Sequence, residues 1–367
     1  MKKKQFICIF PQGENIHLMK DVGMIPYSLK KKGYYDTTIS FYENQRNLPF
    51  FKKYFDGVKY KKINKISRYQ GVNIFIFLLR NYRKYDIVMF IHEGGLKFFA
   101  ALFFKIITFN RIKFYFKLDM NSLVLNSDRF ANKNFLFRIK SYILKHVGLM
   151  TVESEKLNTF LNNESYLKTR YLPNGFLNIN KFNNIKEKTI ITVGRLGTKE
   201  KDTEVFLRAL ENMDLNDWKV KFIGPIDEKF YHVVEKFYAN NPSLKNKVYF
   251  LGNIDDRDML LQEYMKAKVF VLTSNSEGFP LVLTEAISNG CYIVSTDLAP
   301  VYDVTNNLEF GEVFSIGDFD QLAIILQKIV NDETKLPNPD DIRRFAAHNF
   351  DWNIIAESLY KYLESDF

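Results

Sequence analysis

Ser276-Glu-Gly-Phe-Pro-Leu-Val-Leu-Thr-Glu-Ala-Ile-Ser-Asn-Gly290 carries two carboxylates, Glu277 and Glu285, on either side of a turn and a helix start. Gly278 and Pro280 punctuate the turn after the first carboxylate, and the second sits two turns into the helix. The apolar run Val269-Phe-Val-Leu-Thr273 leads into the motif, so it lies where a parallel strand hands over to a helix. Unpaired N–H groups and the helix dipole at such a junction favour an anion. With Pro280 at the first helical position, Leu281 and Val282 offer free amides, and Glu285 lies one turn further along. Phosphates on the amides, with a carboxylate for hydroxyls on either side, fit a phosphorylated sugar carrier.

Outward from this motif, the pattern is that of an α/β doubly wound protein. Short β-rich runs alternate with amphipathic stretches of helix length. In the first half, strands are expected at Phe6–Phe10, Thr37–Phe41, Ile87–Ile91, Ile112–Leu118 and Gly148–Val152, with helices near 17–32, 69–84, 95–107 and 129–146. Tyr171-Leu-Pro-Asn-Gly175 ends that half with turn residues, and the lysine-rich Asn178–Lys188 reads as a linker. The second half restarts with strands at Thr189–Gly194, Trp218–Ile223, Val248–Leu251, Val269–Thr273 and Tyr292–Ser295. Its helices are expected at 202–213, 228–239, 256–266 and 280–289, followed by three near 318–331, 340–348 and 351–364.

The 367 residues suit two domains rather than one core. We place them at 1–178 and 179–345, with a C-terminal helix, 346–367, packing back toward the first. Two such sheets facing each other bring their strand carboxyl ends to a central cleft, where ligands of open α/β sheets bind. Cys8 and Cys291 lie in different halves within apolar runs, so buried free thiols are expected, which suits a reducing cytosol. The apolar run after the basic start stops at Pro11, too short for a signal or a membrane span.

Charge divides unevenly. Residues 1–180 carry 31 Lys and Arg against 12 Asp and Glu, a net +19, while residues 181–367 carry 21 against 30, a net −9. Basic clusters such as Lys30-Lys31-Lys32 and Lys52-Lys53 alternate with aromatics. A solvated basic surface and attraction to an anionic membrane both account for this. Nucleic acid is not expected, because no recognition motif accompanies the charge.

Other strand ends carry chemistry. In Val193-Gly-Arg-Leu-Gly-Thr-Lys-Glu-Lys201, two cations follow a strand: Arg195 suits bidentate contact with a diphosphate and Lys201 adds a point charge, with Lys199 a near alternative. Gly224 follows a strand in Phe222-Ile-Gly-Pro225, as Gly252 does in Phe250-Leu-Gly-Asn253. In the first half, Gly23 lies beside a helix start, His92 and Glu93 end one apolar strand, and Lys117-Leu-Asp119 closes the next. The remaining histidines are scattered and no zinc spacing exists. Asp256-Arg-Asp258 and Asp318-Phe-Asp320 sit at helix starts, where capping explains them better than metal binding.

Together, Gly194-Arg195…Lys201, Gly224 and Glu277-Gly-Phe-Pro-Leu-Val-Leu-Thr-Glu285 resemble the family-4 glycosyltransferases of the GT-B fold. Lys117-Leu-Asp119, Pro173-Asn-Gly175 and Trp352 at the start of the last helix extend the resemblance over nearly the whole chain. It implies a nucleotide-sugar donor on the second domain, transfer with retention, and no metal or other cofactor. Arg195 and Lys201 would hold the diphosphate and stabilise the leaving group. Glu277 and the segment Gly278, Phe279, Pro280, Leu281 and Val282 would contact sugar and phosphate. Glu285 would take the ribose, Leu251 and Ile254 would border the base, and Gly23 would let the backbone approach the donor phosphate. Many members have a histidine where this chain has Lys117-Leu-Asp119; Asp119 is the stand-in, with Lys117, His92 and Glu93 as acceptor contacts.

The resulting expectation is a retaining hexosyltransferase using a UDP-sugar, acting on a saccharide acceptor, lipid-linked, at the cytoplasmic face of a bacterial membrane, in surface-polysaccharide synthesis. The alternatives are another GT-B activity (a soluble-acceptor transferase or a sugar-nucleotide epimerase) and a non-catalytic sugar-nucleotide-binding subunit.

Overall fold

The computed structural model describes residues 3–13, 15–42, 55–92, 94–121, 124–125, 142–143, 145–164, 167–177 and 186–365. The chain divides into two compact units, Met1–Gly175 with Phe350–Phe367, and Phe176–Asn349. Most of the expected 178–188 linker and of the expected helix near 129–146 lies outside the described residues.

The first unit runs β1 (Gln5–Ile9), α1 (Asn15–Leu18), α2 (Asp21–Lys31), β2 (Asp36–Tyr42), β3 (Lys59–Ile63), α3 (Gln70–Asn81), β4 (Ile87–Ile91), α4 (Gly95–Ile107), β5 (Lys113–Lys117), β6 (Leu149–Val152), α5 (Glu155–Glu164) and β7 (Thr169–Tyr171). Its seven strands form one parallel sheet in the order β3-β2-β1-β4-β5-β6-β7. Every residue of the central strand β4, Ile-Val-Met-Phe-Ile, is buried, as a strand covered on both faces requires. The second unit comprises β8 (Glu187–Val193), α6 (Thr203–Glu211), β9 (Lys219–Ile223), α7 (Tyr231–Asn240), β10 (Val248–Gly252), α8 (Arg257–Lys266), β11 (Ala267–Leu272), α9 (Leu281–Ser288), β12 (Tyr292–Thr296), α10 (Ala299–Val304), β13 (Gly311–Phe314), α11 (Phe319–Val330) and α12 (Pro339–Phe350). Its six parallel strands are ordered β10-β9-β8-β11-β12-β13.

A last helix, α13 (Trp352–Ser365), packs on α2 in the first unit. Tyr34 stacks on Tyr360 with centroids 4.1 Å apart, and Glu364 accepts from Lys4 at 2.8 Å and from Tyr35 at 2.8 Å. Trp352 is buried, and a side chain at Gly175 would meet the Phe350 carbonyl oxygen at 2.4 Å and the Trp352 ring at 3.2 Å.

Three strands escape the apolar pattern. The edge strand β3, Lys-Tyr-Lys-Lys-Ile, is mostly exposed and reads as a basic run; pairing with β2 makes it a strand. The strands β7 and β13 are only 3 and 4 residues long. The helix expected near 17–32 is broken at Met19-Lys20. Cys8 and Cys291 are free and buried.

Candidate active site

In a parallel sheet all strand carboxyl ends share one edge. In the second unit that edge collects Gly194 and Arg195 after β8, Gly224 after β9, Gly252 at the end of β10 and the Ser274–Pro280 turn after β11. The turn is tied to the loop after β8 by three hydrogen bonds. Thr273 Oγ1 donates to the Lys201 carbonyl at 2.7 Å, the Asn275 amide to the Glu200 carbonyl at 2.8 Å, and Asn275 Nδ2 to the Lys199 carbonyl at 2.8 Å. These bonds bring Lys201 against Glu277: Lys201 Nζ donates to Glu277 Oε1, and both side chains are largely buried. Lys199 is exposed, and among the described residues it is Lys201 that meets the carboxylate. Arg195 pairs with Glu200, an exposed contact that solvent weakens.

The helix after the turn begins one residue later than expected. Pro280 is extended (φ −72°, ψ 118°) and caps α9, rather than opening it, because Leu281 is the first helical residue. The amide of Leu283 donates to the Pro280 carbonyl at 3.1 Å. Leu281 and Val282 precede it, where no carbonyl four residues back belongs to the helix. Their N–H groups and the positive end of α9 flank the Lys201–Glu277 pair along the chain. Phe279 is buried beneath the turn.

Glu285, in α9, is held from α8: Arg257 donates to Oε1 and the Tyr264 hydroxyl donates to Oε2 at 3.1 Å. Burial and the Glu285 charge push the Tyr264 phenol well above its usual range, so it stays a donor. Neither partner stands out in the sequence. Arg257 lies inside Asp256-Arg-Asp258, whose Asp256 caps α8 by accepting from Asp258 and Met259 at 2.8 and 3.1 Å; Asp318 caps α11 in the same way. Leu251 is exposed and Ile254 half-buried on the β10 side. Gly224 has φ +134°, and a side chain there would strike the Gly194 carbonyl at 1.9 Å, so glycine lets the ends of β8 and β9 close together.

The first unit's strand ends hold a second charged cluster. Lys117, at the end of β5, is fully buried; its Nζ donates to the Leu172 carbonyl at 2.6 Å and lies 3.1 Å from Glu153 Oε1. Glu153, just past β6, is also buried, and neither of its oxygens is in hydrogen-bond alignment. Burial pushes its carboxyl up to about 7; Asp119 and Asp21 add to the rise and Lys117 opposes it. Asp21 is shifted upward for the same reasons, burial first and then Asp119. Its Oδ1 accepts from the Val22 amide at 2.8 Å. His92 and Asp119 both have left-handed backbones, φ 58° and 43°, which turn their side chains to within 3.7 Å of each other at the surface. Lys117 therefore faces inward, while His92 and Asp119 form the exposed pair. Glu93 lies outside the described residues. The space beside Gly23 is filled by the Leu18 backbone, 2.2 Å from where a side chain would sit, so its glycine character follows from packing of α1 on α2.

Residues 177–348 match the family described as glycosyl transferases group 1. The second unit belongs to that family. Among curated relatives, a phosphatidyl-myo-inositol mannosyltransferase of Mycobacterium leprae is 25% identical over 181 residues, 48% of this chain and 46% of that protein. A GalNAc-alpha-(1->4)-GalNAc-alpha-(1->3)-diNAcBac-PP-undecaprenol alpha-1,4-N-acetyl-D-galactosaminyltransferase of Campylobacter jejuni is 32% identical over 150 residues, 40% of each chain. The chain spans about a third to a half of the length of the curated relatives it matches. Among solved structures, Anabaena HepE in complex with UDP aligns with a TM-score of 0.73 at 15% identity, covering 99% of this chain and 100% of that one. The likeness establishes the fold, the GT-B fold of two parallel-sheet α/β domains.

Among the described residues no group of three or more His, Cys, Asp and Glu is placed to hold a metal ion, and no helix is long and apolar enough to cross a membrane.

Proposed function

We propose that this protein is a retaining glycosyltransferase that moves a hexosyl group from a UDP-sugar to a saccharide acceptor without a metal ion. The observation that carries the reading is the Lys201–Glu277 pair in the turn that leads into α9, whose first amides, those of Leu281 and Val282, have no helical carbonyl to bond. A cation and two amides suit a diphosphate, and the adjacent carboxylate suits sugar hydroxyls. Arg195 and Lys201 would hold the diphosphate and stabilise the charge it gains as the glycosidic bond breaks. Glu277 would take the sugar, and Glu285, oriented by Arg257 and Tyr264, the ribose. The UDP in the HepE complex favours uridine as the base. Departing UDP keeps the bonding electron pair, the acceptor oxygen bonds the anomeric carbon from the same face, and its proton passes to the leaving phosphate.

The acceptor falls to the first unit, where Asp119 and His92 are exposed together. We assign a lipid-linked saccharide, at the inner face of a bacterial membrane, in surface-polysaccharide synthesis. The +19 charge of residues 1–180 supports this, as do the undecaprenol-linked substrate in the name of the Campylobacter relative and the capsular role in that of a Staphylococcus aureus relative.

Hydrolysis assays across UDP-, GDP- and ADP-sugars, with the released nucleotide measured, test the donor class. Activity with UDP-sugars, lost in both Lys201→Ala and Glu277→Ala, is the expected result. Undiminished turnover in either folded variant would overturn the site.

A further inference from the structure

Lys117 stands where the carboxyl ends of four strands meet. It closes β5, and its carbonyl accepts from the amide of His92, just past β4, at 2.8 Å. The next amide, that of Leu118, donates to the Thr151 carbonyl in β6 at 2.9 Å. The Lys117 ammonium reaches on to the Leu172 carbonyl past β7 at 2.6 Å and lies 3.1 Å from Glu153, just past β6. Both charged side chains are buried. A buried ion pair adds little stability over apolar side chains of similar volume, so the worth of this one lies in what it ties together.

Two residues at these strand ends have strained backbones. His92 and Asp119 occupy the left-handed region, at φ 58° and 43°. A residue other than glycine keeps that conformation only where its surroundings over-determine it. Lys117 supplies such surroundings on both sides, since His92 hangs on its carbonyl and Asp119 follows two residues on. Lys97, from α4, adds a bond of 2.6 Å to the Ile91 carbonyl, directly before His92. Held in this way, His92 Nδ1 and Asp119 Oδ2 stand 3.7 Å apart, and both side chains are exposed. Glu153 completes the arrangement, because a buried ammonium with no opposite charge beside it is driven toward water or toward losing its proton.

We infer that Lys117 and Glu153 are positioning residues for the acceptor side of the proposed transfer: the buried ammonium fastens the strand ends from which Asp119 and His92 project, and the buried carboxyl keeps it there. The inference rests on the transferase reading and gives neither residue a contact with substrate, so Lys117 acts through Asp119 rather than as the acceptor contact expected from the sequence. The leverage is large, since displacing a reacting group by about 1 Å costs about a hundredfold in rate.

The test is a cycle of variants read by UDP-sugar hydrolysis at saturating donor, with water standing for the acceptor. Lys117→Met/Glu153→Gln removes both charges at nearly constant volume. It should fold, as followed by urea unfolding through Trp352, and bind UDP in calorimetry as wild type does. Its KM for the donor should stay within about twofold, while kcat falls at least about tenfold. In an Asp119→Ala background the same pair of changes should cost less than about twofold, because nothing is left to position. If the paired variant does not fold, Glu153→Gln alone carries the cycle, with a kcat loss of at least about threefold that likewise vanishes in Asp119→Ala. A second readout needs no turnover. The imidazole resonance of His92 in histidine-labelled protein, identified by its absence from His92→Gln, should move in Lys117→Met/Glu153→Gln and in Asp119→Ala alike, as each takes the carboxylate from beside the ring.

Unchanged kcat in the folded paired variant would make the pair a structural contact and overturn the inference. Equal losses in both backgrounds would overturn it, as would undiminished turnover in Asp119→Ala or a His92 resonance that stays in place. Wild type that hydrolyses no UDP-sugar would sink the transferase reading instead, and the resonance alone would then decide whether Lys117 and Glu153 place the His92–Asp119 pair.

Discussion

Glu153→Gln should flatten the pH dependence of the first unit's stability. The carboxyl is buried, neither oxygen is aligned for a hydrogen bond, and the ammonium of Lys117 at 3.1 Å is the opposite charge beside it. Burial outweighs that attraction, and with Asp119 and Asp21 adding repulsion the group rises from 4.5 to about 7. In the unfolded chain it ionises at its ordinary value; in the folded one it holds its proton until near neutrality. Between the two the folded state binds more protons, so stability is full below about pH 4.5 and falls as pH rises through the window. At about 1.4 kcal/mol per decade, the loss totals about 3 kcal/mol once pH exceeds the folded value.

Glutamine reproduces the protonated form and does not titrate. Relative to the variant, wild type should therefore lose about 2 kcal/mol between about pH 5.5 and about pH 8. Trp352 is buried in the first unit, and the chain's one other tryptophan is Trp218 in the second. In a Trp218→Phe background, urea unfolding followed by Trp352 fluorescence reads the first unit. The slope of the difference with pH is the observable, so a uniform loss from leaving Lys117 without its carboxylate does not disturb it. Parallel stability–pH curves for the two proteins would refute the reasoning.

Three further outcomes concern the second unit. Gly224→Ala places a methyl carbon 1.9 Å from the Gly194 carbonyl at φ +134° and should destabilise by about 3 kcal/mol or more, read by urea unfolding through Trp218. Thr273→Val removes the 2.7 Å bond to the Lys201 carbonyl at nearly constant shape; it should cost about 1 to 2 kcal/mol and weaken UDP binding in calorimetry, because the loop carrying Lys201 loses a tether. Glu285→Ala should raise the Kd for UDP by about tenfold, the loss of one charge-assisted contact, with much less effect on turnover at saturating donor; a kcat loss matching that of Glu277→Ala would reassign its role.

What was legible in the sequence follows from where each residue sits. Ile87–Ile91 is apolar throughout because both faces of a central parallel strand are covered, and such a run reads unambiguously. Lys59–Ile63 has the same backbone geometry but one neighbouring strand and a solvated face, so nothing in its side chains marks it. The cations and carboxylates at strand ends were legible, since the apolar runs locate those ends. Their partners were not. Glu153 meets Lys117 from 36 residues away and Arg257 meets Glu285 from 28, pairings set by strand order rather than local pattern. A carboxylate following the fully buried Leu149–Val152 was the available signal for Glu153. Arg257 carried none, because an arginine between two aspartates at a helix start reads as ordinary capping.

The ion pairs of the second unit bear on how a donor would bind. Arg195, Lys201 and Arg257 each already hold a carboxylate: Glu200, Glu277 and Glu285. Under the proposed reading, a diphosphate arriving at Lys201 does not neutralise a bare cation; it replaces Glu277 as the partner. The displaced carboxylate loses its bond from Lys201, and the sugar hydroxyls can donate at that point. Diphosphate and sugar are thus coupled through one exchange, so that each makes room for the other. UDP alone would draw Lys201 from Glu277 without bringing sugar hydroxyls to it, and a free sugar would have to compete with an ammonium for the carboxylate. In Glu277→Gln the exchange disappears: Lys201 has no carboxylate to leave, so UDP should bind as tightly as in wild type or tighter, while the extra affinity of UDP-sugar over UDP shrinks. Calorimetry with both ligands on both proteins reads that difference directly. An equal UDP-sugar advantage in wild type and Glu277→Gln would show that the pair is a structural contact and that the sugar is recognised elsewhere.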